Sequence, residues 1–186
     1  MTMNLLLPLD NLEVAQFIYL MLNNKKIRDV IDTITSKVVL ILGRFSDDRK
    51  PVLDSIRDEL RNRNYLPVLF DFTGPVSRNL TETISTLAHL ARFVIADLTE
   101  PRCIPQELTK IVPNIAVAIK PLLMEGSTGE YAMFKDLLIY DWVLDVYHYK
   151  NADHLINSLD DNVIAPAEEK AVELIRRKCL FAGTTK

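Results

Sequence analysis

From Lys37 onward the chain alternates short, wholly apolar runs with longer amphipathic stretches, and this alternation limits the fold more than any other feature. Val38 to Leu42 is a valine, leucine and isoleucine run that stops at Gly43. Strands that are apolar at consecutive rather than alternate positions are buried on both faces, as in a parallel sheet. The next stretch sets Val52, Leu53, Ile56 and Leu60 on one stripe, with Arg57, Asp58, Arg61 and Arg63 outward. That is the pattern of a helix lying on a sheet. Asp47 or Asp48 is its expected cap, and Pro51 suits its first turn.

The same rhythm continues. Tyr65 to Phe70, followed by Asp71, reads as a second strand. Leu80 to Leu90 is a helix with Ile84, Leu87 and Ala91 inward, and Phe93 to Leu98 is a third strand. Ala116 to Leu123 is a fourth, which Pro121 is expected to end or to place at an edge. Trp142 to Tyr147 is the fifth. Further helices are expected over Tyr131 to Leu138, Ala152 to Leu159 and Pro166 to Cys179. Such alternation predicts an α/β fold with helices on both faces of a parallel sheet, in the flavodoxin-like order 2-1-3-4-5. Residues 37–180 would form this domain, 1–36 a helical extension and 181–186 a tail.

In the extension, Asp10 and Glu13 have the spacing of a capping box opening a helix to about Leu22. Asn23 and Asn24 interrupt it, and Ile27, Val30, Ile31 and Ile34 mark the apolar face of a second helix. The first helix is apolar nearly all round, from Val14 to Leu22. It either covers the domain's own sheet or serves self-association or docking to a neighbouring domain.

Composition narrows the function classes. The 186 residues are 48% apolar and 25% charged, with a net charge of −3 and both signs spread along the chain. A nucleic-acid-binding face would need a concentrated basic stripe, so no nucleic-acid partner is expected. No run reaches the length of a membrane span, and MTMNLLLPLD lacks the basic region of a signal peptide. Cys103 and Cys179 have no metal-ligand spacing, which favours a reducing cytoplasm and predicts no metal or cofactor. The motifs GxGxxG, GxxxxGK[ST] and GxSxG are all absent.

In the order 2-1-3-4-5 the ligand crevice lies between the carboxyl ends of strands one and three. Those ends are Gly43-Arg44-Phe45 and Asp97-Leu98-Thr99. The candidate polar groups at strand ends are Arg44, Asp71, Arg78, Glu82, Asp97 and Glu107. The four acidic residues among them also have a plain structural reading. Glu107 and Glu82 would suit the first turn of a helix, where the dipole favours an acid. Asp97 and Asp71 would cap the turns that follow them. His89 would be a hydrogen-bonded packing residue, and Cys103 a small buried one.

The run VVLILGRFSDDRKPVLDSIRDELRNRNYLPVLFD, followed by LTETISTLAHLARFVIADLTEPRCIPQEL, resembles the TIR-like (Toll/interleukin-1 receptor-like) domains of bacteria. With one extra spacer residue, Cys103, Glu107 and Leu108 match the CxxEL start of the TIR helix after this strand. The VIADLT strand and the glutamate-bearing helix behind it are also similar to the nucleoside 2-deoxyribosyltransferases. Both resemblances imply that Glu107 acts at the ribose carbon of an N-glycosidic bond. The TIR resemblance implies NAD as a substrate, with Glu107 catalytic and Gly43, Arg44, Phe45, Asp97 and Arg78 as the candidate residues that bind it. In NAD⁺ the nicotinamide leaves without protonation, and one carboxylate can stabilise the oxocarbenium-like ribose. Arg44 would hold a phosphate and Phe45 would stack on a base. A non-catalytic interaction module and a nucleoside N-glycosidase or deoxyribosyltransferase are the alternatives. TIR-type function also implies signalling or defence roles and activity that depends on assembly.

Overall fold

The computed structural model describes Gln16, Tyr19, residues 23–71, 78–100, 104–127, Phe134 and 136–182, with side chains at 28, 78–81, 104–107 and 178–182 excepted. The chain divides into two compact units, 1–36 and 37–186. In the first, helix α1 (Lys25–Thr35) begins at Asn24, whose side chain accepts from the backbone N–H groups of Lys26 at 2.9 Å and Ile27 at 3.4 Å. The expected capping box at Asp10 and Glu13 lies outside the described residues.

The second unit is built on a five-stranded, all-parallel sheet in the order β2-β1-β3-β4-β5. The strands are β1 (Val38–Gly43), β2 (Leu66–Asp71), β3 (Phe93–Asp97), β4 (Ala118–Met124) and β5 (Tyr147–Tyr149). Alternate side chains of each strand feed opposite layers. Val39, Ile41, Phe93 and Ile95 pack with Leu53, Ile56 and Leu60 of α2 (Lys50–Asn62). The same layer takes in Leu155 of α5 (Ala152–Asn157) and Ala167, Ala171 and Leu174 of α6 (Ala165–Ala182). Leu40, Leu42, Val94 and Ala96 face the other way, onto Ile84 and Ala88 of α3 (Arg78–Leu90) and Leu108 and Ile111 of α4 (Ile104–Ile111). Both faces of β1 and β3 are therefore dry, which is why their sequences are continuously apolar.

Two prolines sit where the sheet needs no donor. The N–H of Leu66 bonds Lys37 O, turning even-numbered residues of β2 toward β1. Pro67 thus faces the open edge, where its missing N–H denies pairing to a further strand. Pro121 does not end its strand or lie at an edge, contrary to the sequence expectation. It is in the middle of β4, opposite Ala96 of β3. The Ile119 N–H bonds Trp142 O, so odd positions of β4 face the β5 side. On that side only a single bridge, Ile119 to Val143, precedes β5, which starts opposite Leu122. Pro121 falls in this gap, so the fifth strand occupies Tyr147–Tyr149 rather than Trp142 to Tyr147.

Other local differences concern helix ends. Arg49, not Asp47 or Asp48, is the N-cap residue of α2, and the backbone N–H groups of Arg49 and Lys50 bond Ser46 O. Asn64 ends the same helix at φ 65°, a left-handed conformation that asparagine tolerates. Helix α3 starts at Arg78, two residues earlier than Leu80, so its first turn holds no acid and Glu82 is exposed further along. Of the helix expected over Tyr131 to Leu138, the described part is helical at Phe134 and a 3₁₀ turn over Asp136–Ile139.

Candidate functional site

The carboxyl ends of β1 and β3 are joined by a buried polar cluster. Arg49, just before α2, donates from Nε and Nη2 to Asp97 Oδ2 at 2.9 and 2.7 Å. Its Nη2 also donates to the Tyr149 hydroxyl at the end of β5, whose ring centre lies 5.8 Å from the guanidinium carbon. Asp97 Oδ1 accepts from the Thr99 hydroxyl at 2.6 Å and the Thr99 N–H at 3.2 Å. The Thr99 hydroxyl in turn lies 3.2 Å from the Tyr149 hydroxyl and accepts from the Met124 N–H at 3.2 Å. Arg49, Asp97, Thr99 and Tyr149 are all buried. Among the described residues no buried side-chain nitrogen or oxygen lacks a partner.

The electrostatics follow from this closure. Burial pulls the Arg49 guanidinium down, but Asp97 and Tyr149 more than offset it, so its pKa stands above the ordinary value. Burial, then the Asp97 charge, pushes the Tyr149 phenol up, keeping it a neutral donor and acceptor. The cluster is one ion pair whose carboxylate oxygens each take two donors. Its guanidinium bonds through Nε and Nη2 to oxygen and through Nη1 to the Met124 sulfur at 3.9 Å, the kind of pairing under which a buried ion pair is tolerated.

Above it lies a second, more open set. Arg44 Nε stands 3.5 Å from Glu100 Oε2, and the Ser46 hydroxyl donates to Glu100 Oε1 at 2.5 Å. Arg44 and Glu100 are half-buried, with side chains 38% and 28% exposed, so the pair can reach solvent and an arriving anion. Phe45 is half-buried against the α2 layer, and its N–H donates to Asp71 Oδ1 at 3.1 Å. Asp71 thereby holds the loop after β1, while the turn it was expected to cap lies outside the described residues.

The expected binding residues are thus distributed as follows. Gly43, Arg44 and Phe45 lie at the end of β1 and Asp97 at the end of the neighbouring β3, while Arg78 is the first residue of α3 and its side chain is not described. Gly43 has a packing reason of its own: a Cβ there would stand 2.8 Å from Leu53 Cδ1. Asp97 does cap its own following turn, through the Thr99 N–H, and both its oxygens are occupied. Glu107 lies in the first turn of α4, two residues beyond Pro105, and its side chain is not described. His89 is hydrogen-bonded, its Nδ1 being 2.7 Å from Ser85 O, but it is exposed rather than packed. Cys103 lies outside the described residues.

Sequence reasoning missed Arg49, Thr99 and Tyr149. Arg49 is hidden in the polar run SDDRKP, which reads as a solvated loop, and nothing in YHYK distinguishes Tyr149. Thr99 had a signal, since Asp followed two residues later by Thr is the spacing of a side-chain-capped turn.

Two surface grooves lie away from the strand ends. One, of about 500 Å³, runs between α3 and α4 beside Glu82, Thr86, Lys110 and Asn114. The other, of about 520 Å³, runs between α2 and α5 beside Asp58, Glu59, Asp153 and Asn157. Among the described residues no group of three or more His, Cys, Asp or Glu side chains could hold a metal ion, and no helix is long and apolar enough to cross a membrane. No protein-family model matches the chain, and no curated protein matches it.

Proposed function

We propose that the 37–186 unit binds NAD⁺ at the carboxyl ends of β1 and β3 and hydrolyses its nicotinamide–ribose bond. The observation that carries this reading is topological. In the order 2-1-3-4-5 the winding reverses between β1 and β3, and open α/β sheets bind ligands at that point. The helix that follows β3 carries Glu107 in its first turn. Arg44, half-exposed at the end of β1, is the phosphate ligand, its planar fork suited to paired bonds with phosphate oxygens. The Glu107 carboxylate stabilises positive charge at C1′ as the C–N bond breaks. Nicotinamide leaves with the bonding electrons. Water adds to C1′ and releases a proton, giving ADP-ribose. The 1–36 unit serves self-association or contact with a neighbouring domain, which supports activity in an assembled state.

Nicotinamide release from NAD⁺ by the whole chain, free and artificially oligomerised, tests this. Release that falls by about 10²-fold or more in Glu107→Ala is the expected result, the scale of losing one transition-state electrostatic group. Undiminished release in that variant would overturn the role of Glu107. A panel of nucleosides and nucleotides in the same assay separates NAD⁺ cleavage from the related nucleoside chemistry.

A further inference from the structure

Arg49 occupies the N-cap position of α2 yet makes no side-chain capping bond. Asp, Ser or Asn would serve that position better. Its side chain instead crosses the sheet end to Asp97 and Tyr149. A buried ion pair gives little net stability over apolar residues of similar volume, so stability is a weak reason for the arrangement. Its distinctive property is geometric. The β1–β3 ladder ends at Leu42 and Ala96. Beyond it, Arg49 is bonded to Asp97, Ser46 to Glu100, and Arg44 is ion-paired with Glu100. Of these links only the first is buried. Tyr149 fixes it from a third direction, through Arg49 and its 3.2 Å contact with Thr99.

We propose that Arg49 is a positioning residue. Through Asp97 it joins the loop after β1, with Arg44 and Phe45, to the end of β3, from which the chain continues to Glu107. The two sides of the crevice then move as one body and keep a constant separation. The inference rests on reading that crevice as the nucleotide site. The planar guanidinium is essential to it, because two nitrogens hold Asp97 while one also serves Tyr149. A lysine ammonium keeps the charge but offers no such fork.

Amide hydrogen exchange on the whole chain tests the coupling without reference to activity. In Arg49→Lys, amides of 44–50 and of 98–100 should both exchange about tenfold faster, with the central amides of β1 and β3 unchanged. Tyr149→Phe should shift the same two segments by less, and it serves if Arg49→Lys fails to fold. Loosening of one segment alone, a uniform rise throughout the sheet, or no change would overturn the proposal, since a merely structural role loosens the molecule generally. On NAD⁺ the same variant should lose about tenfold or more in kcat, with KM within about threefold. Paired loosening with unaltered kcat would also overturn it. If the wild-type chain releases no nicotinamide while the two segments loosen together, the nucleotide reading fails and the coupling stands.

Discussion

Arg49 donates twice to one oxygen of Asp97, at 2.9 and 2.7 Å, while the other oxygen of that carboxylate takes both donors of Thr99. The carboxylate is thereby saturated beneath the sheet's carboxyl edge. Both Asp97 oxygens are taken from within the fold, by the segments that follow β1 and β3.

Removing one partner of this pair should cost far more than removing both. Asp97→Ala leaves the Arg49 charge buried without its counter-ion, and the loss should be roughly 3–5 kcal/mol by urea unfolding. The double variant Arg49→Met, Asp97→Val should recover part of that loss, because no buried charge is left unpaired, while the Thr99 N–H still lacks its acceptor. A double variant as unstable as the sum of the two single ones would show that the pair is not the unit that matters.

Gly43 and Leu53 should be coupled. A Cβ at Gly43 would meet Leu53 Cδ1 at 2.8 Å and Cδ2 at 3.2 Å, and Leu53 is fully buried, so it cannot swing away freely. Gly43→Ala is expected to destabilise by about 1–3 kcal/mol through overpacking. In a Leu53→Ala background the same change should be nearly neutral. Thermal unfolding of the four species measures the coupling.

Alkaline pH should act through Tyr65. Burial and then the neighbouring Glu168, which accepts the Tyr65 hydroxyl proton at 3.1 Å, push its pKa up to about 12. The unfolded chain ionises this phenol near its ordinary value of about 10. Between those values the unfolded state holds fewer protons on this group, so stability falls as pH rises through that window. Comparison with Tyr65→Phe isolates the contribution: the variant should show a shallower loss of stability between about pH 10 and 12.

Glu100 should weaken anion binding at Arg44. Its carboxylate stands 3.5 Å from Arg44 Nε and competes with any arriving phosphate. Glu100→Gln keeps an oxygen for the Ser46 hydroxyl and removes the charge. Binding of ADP-ribose, followed by calorimetric titration, should tighten about two- to fivefold, the scale of about 0.5–1 kcal/mol for a half-exposed pair. The gain should shrink as salt is raised.

Much of the architecture was legible in the sequence because burial dictates residue type. Val38 to Leu42 and Phe93 to Ala96 are apolar at every position since both faces are covered, and the stripe Leu53, Ile56, Leu60 is the face that covers one of them. Pro121 misled for a physical reason. A proline removes one donor on one side of a strand only, and whether that side is paired depends on where β5 begins.

The sequence by itself determined the alternating elements, the sheet order they imply and the strand ends that flank the reversal point, because these follow from local periodicity and chain connectivity. Only the tertiary structure decided what fills the space between those ends. Arg49, Asp97 and Tyr149 are separated in sequence by 48 and 52 positions, as the contacts from Arg49 to the other two span 48 and 100. Their meeting depends on strand register and on the depth at which each side chain is buried. A charged residue in a polar run carries no local mark of burial. It becomes a structural ion pair only when the fold brings a counter-ion within reach and removes the water between them.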